Sequence, residues 1–164
     1  MTAVVNATPL IALAMIGHLD LLKALFDEVV VPGAVYNEVT HNPVLPGARE
    51  VSCAHWIRRQ EPVSRSNIEP LLLGLDLGEL HVLLLAREIH ADWVLIDERL
   101  ARRVASAMGC RAKGTAGLVL AGFRAGLLTQ AQVTESVGHL LSSGMRIGPR
   151  VVAWLDDELG RPFG

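Results

Sequence analysis

The stretch that decides the fold is VLIDERLARR, residues 94–103. Trp93 and the first three of these residues are apolar and favour β-structure, as in a strand buried on both faces of a parallel sheet. From Asp97 onward the apolar period is helical, with steps of three and four through Leu100, Ala101, Val104, Ala105 and Met108. Asp97 is therefore predicted at the carboxyl end of a strand, the edge where open α/β sheets bind ligands.

The charged residues of this stretch have two interpretations each. Asp97 either contributes to a site at the sheet edge or caps the following helix, since Asp is a favoured N-cap residue. Arg99, Arg102 and Arg103 lie on a different helix face from the apolar residues. They either bind an anionic ligand or form an ordinary solvated surface, and the stretch alone leaves both possibilities open.

Length and composition limit the class of protein. The chain has 164 residues, of which 51% are hydrophobic and 4% aromatic, so we expect a single domain over residues 1–164 with helices packed on a buried sheet. A net charge of −2 excludes a strongly basic nucleic-acid coat but permits a local basic patch. Two cysteines are too few for a disulfide scaffold, which favours a reducing cytoplasm. The apolar run at residues 118–128 is interrupted by Arg124 and too short to span a membrane.

The rest of the chain alternates predicted strands and helices. Thr8 is predicted to cap the first helix with Pro9 at its first position, and residues 56–63 are placed at a sheet edge because they carry charge. Further strands are predicted at residues 3–5, 28–31 and 110–113. Further helices are predicted at 20–26, 118–125, 130–141 and 149–159; one more begins at residue 32, a short one ends at 54, and a long one runs from 76 to about 90. This alternation predicts an α/β fold with a parallel sheet between helices.

Oxygen-bearing side chains recur at strand ends and helix tops, at Asn6, Glu38, Glu79 and Asp97. Glu38 falls on an inward-leaning helix face, where a charge needs a partner. Glu79 either completes a capping box with Asp76 or points into a site. Hard divalent cations prefer oxygen ligands, and one would offset the repulsion of three convergent carboxylates.

Six segments, taken in order, resemble a known family. They are NATPLIAL (6–13), LDLL (19–22), VPGAVYNEV (31–39), LGE (77–79), LIDE (95–98) and GTAGL (114–118). Together they resemble a PIN-like domain and, more narrowly, a prokaryotic subfamily related to the VapC-type toxin ribonucleases. The resemblance extends over about the first 130 residues.

The resemblance implies a three-layer α/β/α sandwich with a short, mostly parallel five-stranded sheet. It also implies clustered acids that hold Mg²⁺ or Mn²⁺ and hydrolyse RNA phosphodiesters. The catalytic acids that it implies are Glu38, Glu79 and Asp97, and Asn6 and Glu98 join them as metal ligands. Thr8 matches the family's hydroxyl residue near the first acid. RNA contacts are expected from Thr8 and from the guanidinium groups of Arg99, Arg102 and Arg103.

One departure from the family pattern keeps two functions open. Asn6 stands where the family has its first metal-binding aspartate, and an amide oxygen coordinates a cation without contributing charge. The chain is therefore either a metal-dependent endoribonuclease, the toxin of a toxin–antitoxin pair, or a PIN-like module that binds RNA or protein without cleavage. The two C-terminal amphipathic helices also predict a homodimer or an antitoxin complex.

Overall fold

A single parallel sheet of five strands organises the chain. The computed structural model of the protein describes residues 1–63, 74–145 and 147–160. All the strand pairs are parallel, and the strand order is β3-β2-β1-β4-β5. The strands are β1 (Thr2–Val5), β2 (Glu28–Val31), β3 (Ile57–Arg59), β4 (Trp93–Leu95) and β5 (Arg111–Lys113). The predicted five-stranded sheet is confirmed, and it is entirely rather than mostly parallel.

Helices flank the sheet and give the expected α/β/α sandwich. They are α1 (Ala7–Met15), α2 (Leu21–Leu25), α3 (Gly33–Thr40), α4 (Ala48–Cys53), α5 (Leu77–Glu88), α6 (Arg99–Ala107), α7 (Thr115–Arg124), α8 (Gln130–Ser142) and α9 (Pro149–Leu159). Helix α5 packs on the central strands β1 and β4 and touches α3 and α6, whereas α7 contacts α1, α2, α8 and α9. Within the described ranges, no helix combines the length and apolar character needed to cross a membrane.

Burial decides which strands are central. The side chains of β1 from Ala3 to Val5 and of residues 94–96 are fully buried, as the apolar run predicted. The charged strands β3 and β5 form the two edges, where charge is tolerated. Strand β3 is shorter than the predicted 56–63, because its partner β2 ends at Val31 and the following Pro32 has no N–H to continue the ladder.

The strand order reverses between β1 and β4, the point at which open α/β sheets form a ligand crevice. Asn6 directly follows β1, and its backbone N–H donates to the Leu95 carbonyl at 2.9 Å. Asp97 follows β4 by two residues. The topology thus brings Asn6 and Asp97 to the same edge of the sheet.

Helix α1 begins earlier than predicted. Its N-cap is Asn6 rather than Thr8, so Pro9 occupies the third helical position. Pro9 has no N–H to donate to the cap, and the Asn6 side chain makes no capping bond. Thr8 is exposed on the first turn. The early start therefore leaves the Asn6 amide available for other contacts.

Helix α6 also differs in detail from the prediction. Glu98, not Asp97, is its N-cap, and no side chain caps it. Ala101, Val104 and Ala105 form the buried stripe as expected, but Leu100 in the first turn is exposed. The Asp97 side chain is consequently not used by its own helix.

An ion pair helps to attach the last helix to the body of the protein. The Arg124 guanidinium on α7 donates to the carboxylate of Glu158 on α9, and the Glu158 side chain is almost fully buried. Leu155 is also buried on the same helix. Together these contacts hold α9 beside the edge of the sheet that carries β5.

Candidate active site

Three side-chain oxygens converge on the first turn of α5, where Gly78 has no side chain. A β-carbon placed on Gly78 would lie 3.4 Å from Asp76 Oδ1, 3.4 Å from Glu38 Oε2 and 3.5 Å from Asn6 Oδ1. We call Asn6, Glu38 and Asp76 the oxygen cluster. The absence of a side chain at Gly78 leaves the space between these oxygens open.

Asn6 is the buried member of the oxygen cluster. Its side chain is only 6% exposed, and it forms no hydrogen bond with the described residues. A buried amide normally finds a partner, because desolvation without a replacement bond is costly. Its Oδ1 lies beside Gly78 together with oxygens of Glu38 and Asp76, where an amide oxygen can serve as a neutral ligand for a cation.

Glu38 reaches the oxygen cluster from α3. Val35 and Val39 form the buried face of that helix, whereas the Glu38 side chain is exposed and not inward-leaning as predicted. Burial of its carboxylate end raises the pKa of Glu38, and the neighbouring Asp76 raises it further, while His41 lowers it. A second negative charge close by thus disfavours ionisation, which a bound cation would reverse.

Glu79 forms the capping box that was one of its two predicted roles. Its backbone N–H donates to Asp76 Oδ1 at 2.8 Å, and its own Oε2 accepts from the Asp76 N–H at 3.0 Å. The side chain is 5% exposed, and this burial raises the pKa of Glu79; the hydrogen bond from the Asp76 N–H lowers it, while the negative charges of Asp76 and Glu98 raise it. Capping uses one carboxylate oxygen and does not exclude a ligand at the other.

Asp97 is held by the N-terminus of α7. The Thr115 N–H donates to Asp97 Oδ1 at 2.8 Å, and the Thr115 hydroxyl donates to Oδ2 at 2.6 Å. A β-carbon on Gly114 would approach Oδ1 to 2.7 Å, so only glycine allows this close fit. Asp97 therefore has a fixed orientation at the sheet edge.

The three predicted RNA-binding arginines of α6 occupy different environments. Arg102 donates through Nη1 to the carbonyls of Ile96 and Asp97, so it supports the end of β4. Arg99 and Arg103 are exposed and line, with Arg102, a shallow depression beside β5. Of the three, only Arg102 also borders the groove described next.

A groove of about 800 Å³ runs from the sheet edge to the last helix. We call it the α9 groove. Thr8, Asp97, Glu98 and Thr115 lie at its acidic end, and residues of α9 form its opposite wall. The groove thus joins four predicted site residues, including Arg102, to a part of the chain that the sequence did not connect with them.

The predicted acids do not form one compact group. Glu38 meets Asn6 and Asp76, Glu79 is joined to Asp76, and Asp97 is bound to Thr115. Among the described residues, no three His, Cys, Asp or Glu side chains lie close enough together to coordinate one ion. The oxygen cluster, with two carboxylates and one amide, has the hard donor atoms that Mg²⁺ and Mn²⁺ prefer and therefore fits such an ion chemically.

Sequence reasoning missed two kinds of site residue. Asp76 was considered only as a helix cap, although its position two residues before Gly78 places it beside Glu38. Lys113 and Arg150 line the α9 groove without having been selected. The sequence could have indicated Asp76, because a residue that caps a helix in this fold lies beside the carboxyl ends of neighbouring strands. The position of Arg150 could not be foreseen, since it depends on how α9 docks.

Comparison with known proteins gives one match. The family model DUF3368, described as a PIN domain, matches residues 2–160. No curated protein and no solved structure matches the chain. The match covers nearly the whole chain, including every residue of the oxygen cluster and all of the α9 groove.

Proposed function

Because the chain belongs to the PIN domain family, a nuclease fold, we propose that it is an endoribonuclease dependent on Mg²⁺ or Mn²⁺. The observation that carries this proposal is the oxygen cluster, in which the buried Asn6 amide and the carboxylates of Glu38 and Asp76 bring three oxygens together around Gly78. Two carboxylates and an amide are oxygen donors of the kind that suits a hard cation.

The residues have distinct parts in this proposal. Asn6, Glu38 and Asp76 would hold the cation, with Glu79, Asp97 and Glu98 beside them at the same sheet edge. The cation would activate water and stabilise charge on the phosphate. Glu38, which reaches the oxygen cluster from α3, is the carboxylate that we assign to orient the attacking water beside the cation.

Substrate binding is the second part of the proposal. Arg102 and Thr8 border the α9 groove beside Asp97, where they would contact the RNA backbone. Arg99 and Arg103 lie outside the groove and would interact with a longer strand that continues past the edge of β5.

We also propose that the protein is a toxin restrained by an antitoxin, and that it forms a homodimer. The support is the VapC-like sequence pattern together with exposed apolar side chains at Leu77, Leu100, Leu127, Leu141 and Trp154. Light scattering at micromolar concentration tests the dimer. A monomer mass of 17.7 kDa alone would contradict it.

A binding module without cleavage is the second candidate. The neutral Asn6 favours it, as does the lack of a three-acid group among the described residues. The deciding experiment incubates a mixed RNA pool with wild type, Glu38→Gln and Glu28→Gln over a range of Mg²⁺ or Mn²⁺ concentrations. Glu28 is a matched control, because it starts β2 at the opposite end of the strands, where it forms an exposed ion pair with Arg58 and accepts a hydrogen bond from the Thr2 hydroxyl.

The nuclease hypothesis predicts metal-dependent cleavage by wild type and Glu28→Gln, and a loss of at least about a hundredfold for Glu38→Gln. RNA binding without cleavage by all three proteins, unaffected by metal, would favour the binding module instead.

A further inference from the structure

The far wall of the α9 groove carries an exposed aromatic side chain. Trp154 is 41% exposed and lines the groove together with Val151 and Arg150, which precede it by about one helical turn. The other face of α9 buries Leu155 and Glu158. Trp154 is therefore presented to the groove by a helix whose opposite side is anchored.

Cationic groups line the same groove. Arg150 is exposed and forms no ion pair within the described part of the chain. Lys113 places its ammonium 4.8 Å from the centre of the Trp93 ring, and burial together with Arg124 and Arg111 lowers its pKa. Positive charge thus accumulates along the groove between its acidic end and α9, although the whole chain is slightly acidic.

This combination is complementary to one kind of ligand. A single-stranded nucleic acid offers phosphates to the cations and unstacked base faces to an aromatic ring. A duplex keeps its bases stacked and paired, so it cannot place one against Trp154 without unpairing. An acidic peptide would use the cations but would have no planar base for the ring.

We propose that the wall formed by Arg150 and Trp154 is a nucleotide subsite for single-stranded RNA. A base stacks on Trp154, and the adjoining phosphates contact Arg150 and Lys113. The subsite rests on the proposed function in taking RNA as the ligand. The subsite positions the RNA strand so that the scissile bond lies at the acidic end of the groove. No covalent step takes place at the subsite itself.

The test measures binding without cleavage. A fluorescein-labelled single-stranded RNA of mixed sequence and its duplex are titrated with protein in EDTA, and anisotropy is recorded. We expect Trp154→Ala to weaken binding of the single strand about tenfold, and Trp154→Phe to restore most of it. Leu45→Ala is the matched control, because Leu45 is 42% exposed, about as much as Trp154, and lies outside the groove.

Arg150 is tested through salt dependence. Arg150→Gln should reduce the slope of log affinity against log salt by about one, because one phosphate contact is lost. Arg49→Gln, at an exposed position of α4 outside the groove, should leave the affinity of a short oligonucleotide unchanged. Thermal unfolding of each variant establishes that α9 is still docked.

A second readout covers the case in which Trp154→Ala unfolds. Tryptophan fluorescence should be quenched when RNA binds to wild type, and most of this quenching should disappear in Trp154→Phe. Equal binding by wild type, Trp154→Ala and Trp154→Phe would overturn the subsite, as would an equal loss for single strand and duplex. Trp154-dependent binding in a protein that never cleaves would leave the subsite standing and reject only the nuclease.

Discussion

Thr115 binds both carboxylate oxygens of Asp97, one through its backbone N–H at 2.8 Å and the other through its hydroxyl at 2.6 Å. Asp97 lies at the end of β4 and Thr115 begins α7, so this pair joins the sheet edge to a helix N-terminus, where a negative charge is favoured. The carboxylate is held in one orientation before any ligand arrives. Preorganisation of this kind is what a metal or phosphate site requires.

Thr115→Val should destabilise the protein, since it removes the hydroxyl that donates to Asp97 while keeping the side-chain shape. We expect a loss of about 1–3 kcal/mol in the free energy of unfolding, measured by urea denaturation. Thr115→Ser retains the hydroxyl and is the control. A valine variant as stable as the serine variant would show that the backbone N–H alone holds Asp97.

Gly78→Ala should abolish metal binding at the oxygen cluster without unfolding the protein. The new β-carbon lies in ordinary contact with the oxygens of Asn6, Glu38 and Asp76, and alanine is a better helix former than glycine. The protein should therefore remain folded, with an unchanged or higher melting temperature. Calorimetric titration should show that Mn²⁺ binding is lost, because the methyl group occupies the centre of the oxygen cluster. Unchanged Mn²⁺ affinity in a folded Gly78→Ala protein would place the ion elsewhere.

The predicted fold follows closely from local patterns. The limits of β2 and α9 match the predictions residue by residue, because Pro32 and Pro149 mark a strand end and a helix start. The first helix was misplaced by two residues because Thr8-Pro9 matches a common cap pattern, whereas the strand bond from Asn6 to Leu95 fixes the true start. Tertiary pairing, which the sequence does not display, overrode the local preference.

The site was predictable only in part. Glu79 satisfies both the capping pattern and the site pattern, and the sequence had no means of choosing between them. The convergence of Asn6 and Glu38 follows from topology once β1 and β2 are neighbours. The α9 groove requires that α9 dock on the sheet layer, and contacts such as the Arg124–Glu158 ion pair, between residues 34 positions apart, have no local sequence pattern.

Charge changes in the oxygen cluster should alter metal affinity in opposite directions. Asn6→Asp adds a carboxylate and should tighten Mn²⁺ binding, whereas Asp76→Asn should weaken it by about tenfold or more. Asparagine caps helices about as well as aspartate, so Asp76→Asn should keep α5 intact. If Asp76 compensates for the missing charge at Asn6, the double variant should bind Mn²⁺ about as well as wild type. Calorimetric titration of all four proteins measures this, and a double variant as weak as Asp76→Asn would contradict the compensation.

The raised pKa of Glu38 predicts a pH dependence of stability in the metal-free protein. Its pKa is higher in the folded than in the unfolded state, so the folded state holds the extra proton. The contribution of Glu38 to the free energy of unfolding is fully present below the ordinary glutamate pKa and is lost as pH rises through the raised value. Glu38→Gln should therefore increase the melting temperature at pH 7 by a small amount and leave it unchanged near pH 4. Adding Mn²⁺ should reverse the order at pH 7, and Glu28→Gln should show neither effect.

The neutral residue at the end of β1 has a consequence at the level of the gene. Asparagine and aspartate codons differ only at their first base, and both side chains fit the extended backbone that Asn6 adopts before α1. A single point mutation would therefore change the charge of the oxygen cluster without disturbing the sheet, the helix or the groove. Selection could therefore raise or lower the metal affinity of this site by one base change while the fold stays the same.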